Sequence, residues 1–143
     1  MLVTRVLSPI STADCRQPLF MARVPAGFPS PADDYLEGNL DINTYLIKHP
    51  SATFFVRAVG DSMKDTGIHT GDILVVDRSL EAGDNTVVIA AVNGELTVKR
   101  IRKTDGALCL VSDNTEFAPI PIHEDMDFAV WGVVTSVIHE LTP

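Results

Sequence analysis

The dipeptide Asn93-Gly94 sits between two alternating, β-branched segments, Thr86 to Val92 and Glu95 to Ile101. A two-residue loop of this kind favours a type I′ turn, because both positions tolerate positive φ and the turn's twist matches that of paired strands. The spacing predicts a hairpin in which Val92 faces Glu95 and Val88 faces Lys99. Thr53 to Val59, Ile73 to Val76, Ala107 to Val111 and Phe128 to Ile138 carry the same β-branched and aromatic signature. One short helix is expected at Asp41 to Ile47, with Asp41 as N-cap and Pro50 enforcing the stop. The fold expected is mainly β: a single curved-sheet or barrel-like domain over residues 27–143. A flexible arm, residues 1–26, precedes it, its apolar residues scattered without a sustained period. The boundary falls in the composition shift Ala26-Gly27-Phe28-Pro29-Ser30-Pro31.

Composition narrows the function classes. Of 143 residues, 45% are hydrophobic and 21% charged, too apolar for a disordered chain. Lys and Arg number 11 against 19 Asp and Glu, a net charge of −8. Direct, phosphate-driven nucleic-acid binding needs a concentrated basic face. Arg100, Arg102 and Lys103 are the one compact basic group, too small for that in so acidic a chain. The arm holds Arg5, Arg16 and Arg23 against Asp14, so a basic arm is expected to lie on an acidic body. No stretch approaches the apolar length of a membrane helix, and no secretory signal is evident at the N-terminus. Cys15 and Cys109 lack metal-ligand spacing and read as free thiols of a reducing cytoplasm. No metal or cofactor is expected.

Two residues offer chemistry. Ser62, in Gly60-Asp61-Ser62-Met63, follows directly on a strand, where a tight turn can project its hydroxyl and present backbone N–H groups to a developing oxyanion. A turn serine bonded to its own backbone fits the same pattern. Lys99 lies in the strand Glu95 to Ile101, with Thr97 and Ile101 on its face and Val88 opposite. It is either a lysine snorkelling at a sheet edge or a desolvated amine, and burial favours the neutral form that a base requires. Together they would form a nucleophile–base dyad, a variant of the catalytic triad. His49, His69, His123 and His139 all sit in turns or termini and read as surface histidines. Asp33-Asp34 and Glu124-Asp125 read as solvated loops.

The motifs Gly60-Asp61-Ser62-Met63, Gly67-Ile68 to Gly71-Asp72 and Thr97-Val98-Lys99-Arg100 resemble the core of the LexA/UmuD family of self-cleaving serine peptidases. Gly27-Phe28-Pro29-Ser30-Pro31-Ala32, His49-Pro50-Ser51-Ala52-Thr53 and Trp131-Gly132-Val133-Val134 are similar to its UmuD branch. The resemblance covers about residues 24 to 138. It implies a nucleophile at Ser62, a general base at Lys99 and an oxyanion hole from the backbone N–H groups of Asp61 and Ser62. It also implies self-cleavage at Ala26–Gly27, a LexA-like bond where the UmuD branch often has Cys-Gly; Pro25 before it is a further departure. A RecA filament on single-stranded DNA would stimulate the cut during the SOS response to DNA damage. The trimmed homodimer would then join a UmuC-type catalytic subunit of an error-prone translesion DNA polymerase, meeting DNA only through its partners. Nothing in the chain's reach decides between cleavage within a subunit and cleavage across a dimer.

Three other readings are open to the sequence. A LexA-like or phage-type repressor would need a helix-turn-helix domain ahead of the cleavage bond, and only 26 residues precede it here. A signal peptidase, which also uses a Ser–Lys dyad, would need a membrane anchor. A non-catalytic interaction module would leave Ser62 and Lys99 as structural residues.

Overall fold

The computed structural model describes residues 1–7, 9, 16–20 and 36–142. In chain order its elements are strands β1 (Leu2–Leu7), β2 (Arg16–Phe20) and β3 (Leu36–Asp41), helix α1 (Ile42–Leu46), and strands β4 (Thr53–Val59), β5 (Ile73–Asp77), β6 (Val87–Val92), β7 (Glu95–Thr104), β8 (Ala107–Val111), β9 (Ile120–Pro121) and β10 (Phe128–Ile138). They fall into two compact units, Met1–Pro9 with His49–Pro143, and Ile10–Lys48.

In the first unit β1, β4, β5, β10, β6 and β7 follow one another in antiparallel order, and the pairing of Leu2 with Thr97 closes them into a six-stranded barrel. Closure removes the free edges that an open sheet would expose. β8 and β9 continue the sheet from the far end of β7. The apolar run of β6 explains its place: Ile89 packs with Val56, Leu74 and Val98 on one side, while Val88 and Ala90 pack with Ile101 and Leu110 on the other. A strand covered on both faces has no polar alternation to show.

The hairpin forms as its turn predicts. Asn93 and Gly94 have φ of 49° and 85°, and Val92 pairs with Glu95 and Val88 with Lys99. β10 bends where its register shifts between Val130 and Gly132. A side chain at Gly132 would meet Val76 Cγ1 at 2.7 Å and the Asp77 carbonyl oxygen at 3.2 Å, so only glycine lets β10 and β5 approach this closely.

The second unit pairs β2 with β3 and ends in α1. Asp41 caps the helix as expected, accepting from the N–H groups of Asn43 at 3.0 Å and Thr44 at 3.4 Å. Pro50 opens a separate 3-10 turn, Pro50–Ala52.

The structure departs from the sequence reading at the N-terminus. Residues 2–7, expected in a flexible arm, are a strand of the barrel. Leu2, Val6 and Leu7 are exposed, while Val3 is half-buried against the core. The strand is held by its backbone ladder and by Met1, so it carries no alternating burial for a sequence reading to detect. Arg5 stands opposite Arg57 in the β1–β4 register. Ala26, Gly27 and the Phe28-Pro29-Ser30-Pro31 stretch lie outside the described residues, as does Cys15. Cys109 is a free, half-buried thiol. Among the described residues no helix is long and apolar enough to cross a membrane.

Candidate active site

β4 ends at Val59, and the chain turns sharply through Gly60, whose φ of 109° suits glycine. Thr70 pins this corner: its hydroxyl accepts from the Gly60 N–H and donates to the Gly60 carbonyl, both at 2.9 Å. A 3-10 turn, Lys64–Thr66, follows and closes at Gly67, which has φ of 90°. Ser62 stands between these two glycine-dependent bends and is 1% exposed.

Lys99 reaches the same point from β7. It is 6% exposed, and its Nζ donates to Ser62 Oγ at 3.0 Å. The Phe117 ring lies 5.9 Å from that nitrogen. No carboxylate among the described residues comes within ion-pair distance of it. The two residues singled out in the sequence, distant along the chain, are therefore brought into direct hydrogen-bond contact inside the barrel wall.

A third group joins them. The α-amino group of Met1 donates to Ser62 Oγ at 2.6 Å. The Met1 carbonyl accepts from the Val98 N–H at 2.9 Å and from Thr97 Oγ1 at 2.8 Å. Desolvation, reinforced by the neighbouring Lys99 amine, lowers the Met1 amine to about 5 from an ordinary value of 8.0. Met1, the residue that leads into β1, thus lies directly against the serine hydroxyl.

The expected oxyanion donors are the N–H groups of Asp61 and Ser62. Neither donates to an acceptor among the described residues. The Asp61 carbonyl accepts twice, from the Lys64 N–H at 3.2 Å and from Asn114 Nδ2 at 2.8 Å. The loop carrying Asn114 is tied to the serine turn at several further points. The Asp113 carbonyl accepts from the Asp65 N–H at 2.8 Å, and the Asp113 N–H donates to Met63 Sδ at 3.3 Å. Arg100 grips the Asp113 carboxylate through Nε at 2.8 Å and Nη2 at 2.6 Å, and Thr66 Oγ1 donates to it as well. Burial works against the Asp113 carboxylate, but these hydrogen bonds outweigh it and hold its pKa below the ordinary value. A recess of about 560 Å³ opens along this loop, lined by Arg100, Asn114 and Phe117 among others.

Sequence reasoning missed Met1, Thr97 and Asn114. Thr97 had a signal, being two residues before Lys99 on the same strand face; Asn114 sits in a loop with no motif around it. The histidines do not join Ser62. His49 pairs with buried Asp77 at 2.5 Å and His139 with buried Asp72 at 2.5 Å, each ring about half exposed.

Residues 18–135, spanning the serine turn, β7 and most of β10, match the Peptidase S24-like family. The chain belongs to that family, one of self-cleaving serine peptidases. It is 47% identical to Protein SamA of Salmonella typhimurium over 123 residues, covering 86% of this chain and 85% of SamA. It is 48% identical to Protein ImpA of Escherichia coli over 124 residues, covering 86% of this chain and 83% of ImpA. The LexA repressor of Pseudomonas chlororaphis is 39% identical over 119 residues, 82% of this chain and 58% of the repressor.

Proposed function

We propose that this chain is a UmuD-like self-cleaving serine peptidase that cuts its own Ala26–Gly27 bond. The observation that carries the reading is the buried 3.0 Å contact between Lys99 Nζ and Ser62 Oγ. In the proposed reaction the neutral Lys99 amine removes the Ser62 hydroxyl proton as Oγ attacks the Ala26 carbonyl carbon. The oxyanion formed accepts hydrogen bonds from the backbone N–H groups of Asp61 and Ser62. As the intermediate collapses, the C–N bond breaks and the Lys99 ammonium returns its proton to the departing Gly27 amine. Water then attacks the Ala26–Ser62 ester, again with Lys99 as base, releasing residues 1–26 and restoring the serine.

Ser62 Oγ accepts from the Met1 α-amino group, and in the proposed reaction β1 withdraws before Oγ attacks. A RecA filament on single-stranded DNA is the proposed stimulus for cleavage in the SOS response. The trimmed chain, as a cytoplasmic homodimer, then serves a UmuC-type subunit of an error-prone translesion polymerase. The acidic composition supports a role that meets DNA through partners rather than directly.

The test is incubation of the purified chain with RecA, single-stranded DNA and ATP, with N-terminal sequencing of any product. A fragment beginning at Gly27 whose formation at pH 7 is accelerated only by all three components together, and that retains the polymerase subunit on an affinity column, is the expected result. A product with another N-terminus, or none, contradicts the proposal.

A further inference from the structure

We infer that Asn114 is a positioning residue that sets the direction of the oxyanion hole. The inference rests on the reading of Ser62 as the nucleophile and extends it to a residue outside the dyad.

In a trans peptide the C=O and N–H bonds point in opposite directions, and the chain has no cis peptide among its described residues. Whatever fixes the Asp61 carbonyl therefore fixes the Ser62 N–H, which belongs to the same peptide plane. Asn114 Nδ2 donates to that carbonyl at 2.8 Å, at the end of the peptide plane opposite the Ser62 N–H. The side-chain amide is 3% exposed and is itself oriented, because Asn114 Oδ1 accepts from the Glu116 N–H at 3.1 Å. Flipping it would set oxygen against the Asp61 carbonyl and lose both bonds. Its loop is anchored to the serine turn through Asp113, whose carbonyl accepts from the Asp65 N–H and whose N–H donates to Met63 Sδ. Lys64 supplies a second bond to the same carbonyl, but from within the turn, where it constrains the local bend and gives no external reference. Asn114 is the reference that aims the Ser62 N–H at the developing charge. Its effect reaches the reaction through Asp61 and Ser62, and it touches no reacting atom.

The experiment measures self-cleavage of the full chain by intact mass from pH 7 to pH 11, for the wild type, Asn114→Ala, Asn114→Asp and Asn114→Ser, with near-ultraviolet circular dichroism as the check on folding. Deleting an oxyanion donor costs about 10²–10³-fold in rate; misaiming one costs less. Asn114→Ala is expected to lower the high-pH plateau by about 10- to 100-fold, and Asn114→Asp, whose oxygens cannot donate to the carbonyl, by at least as much. The midpoint of the pH profile stays where it is, because the base is untouched. Asn114→Ser, with a short donor, falls between. A wild-type plateau in folded Asn114→Ala, or a loss arising from a moved midpoint, overturns the inference. So does loss of the fold in all three variants, which makes Asn114 a folding residue. Absence of cleavage in the wild type at every pH, with RecA filaments added, is a separate result: it removes the peptidase reading itself, and the role of Asn114 with it.

Discussion

Met1 and Lys99 converge on one oxygen atom: the α-amino group of Met1 donates to Ser62 Oγ at 2.6 Å and Lys99 Nζ donates to it at 3.0 Å. The proposed nucleophile is thus held by its proposed base and by the chain's first residue through the same oxygen. Met1 is held further by Thr97 and Val98, the residues that lead into Lys99 along β7. A strand that closes the barrel also covers the serine.

Removing that strand is expected to speed the reaction. Where the competent state is only partly populated, the observed rate is reduced by that fraction, and freeing it restores the difference. Deletion of residues 1–7 should raise the rate of Ala26–Gly27 cleavage at pH 10 by about 10-fold. An unchanged or slower rate, in a variant that melts cooperatively, would show that β1 does not gate the site.

The Met1 amine gives the docked strand a pH dependence of known sign. Its pKa is lowered to about 5 in the folded chain from 8.0 when free. Between those values the undocked state binds more protons, so docking strengthens as pH rises from 5 to 8 and weakens as it falls. The Val98 N–H donates to the Met1 carbonyl at 2.9 Å, so its amide resonance should titrate with a midpoint near 5. A midpoint near 8 would place the amine in solvent.

Asp113 joins the serine turn to the Asn114 loop through Arg100 and Thr66. Replacing it with asparagine weakens a charge-assisted pair and should cost about 1–3 kcal/mol, read by urea unfolding at pH 7. Its carboxyl pKa is lowered on folding. That contribution is therefore complete above the ordinary carboxylate range and is lost as pH falls through the folded value. The gap between wild type and Asp113→Asn should narrow in acid; a gap constant from pH 7 down to pH 2 would contradict the linkage.

Gly132 tests the packing of the barrel away from the site. An added methyl group meets Val76 Cγ1 at 2.7 Å and backbone atoms of Asp77 at 3.2 and 3.3 Å. Overpacking against backbone leaves little room to relax, and Gly132→Ala should destabilise by about 1–3 kcal/mol. Wild-type stability would mean that β10 and β5 are not this close.

Much of this was legible in the sequence because it rests on local chemistry. Asn93-Gly94 sets the register that puts Val88 opposite Lys99, and Asp41 announces its helix through its own side chain. Ser62 and Lys99 were visible as residue types in suitable elements, and their meeting depends on β4 and β7 flanking β1 in one barrel. What escaped notice depends on long-range backbone pairing. Leu2, Val6 and Leu7 of β1 are exposed, so no inward periodicity marks it, and its partner β4 lies far along the chain. Asn114 acts through one hydrogen bond to a carbonyl 53 positions away, which no spacing rule encodes.

The central claim, that Ser62 and Lys99 cleave the chain at Ala26–Gly27, is tested most directly by intact-mass spectrometry of the purified protein at about pH 7 and about pH 10, beside Ser62→Ala and Lys99→Ala. An amine base gains its neutral form as pH rises, so a fragment of residues 27–143 should appear faster at the higher pH and in neither variant. A fragment that persists in Ser62→Ala, or a wild-type chain that stays whole at both pH values and with RecA filaments added, would contradict the account.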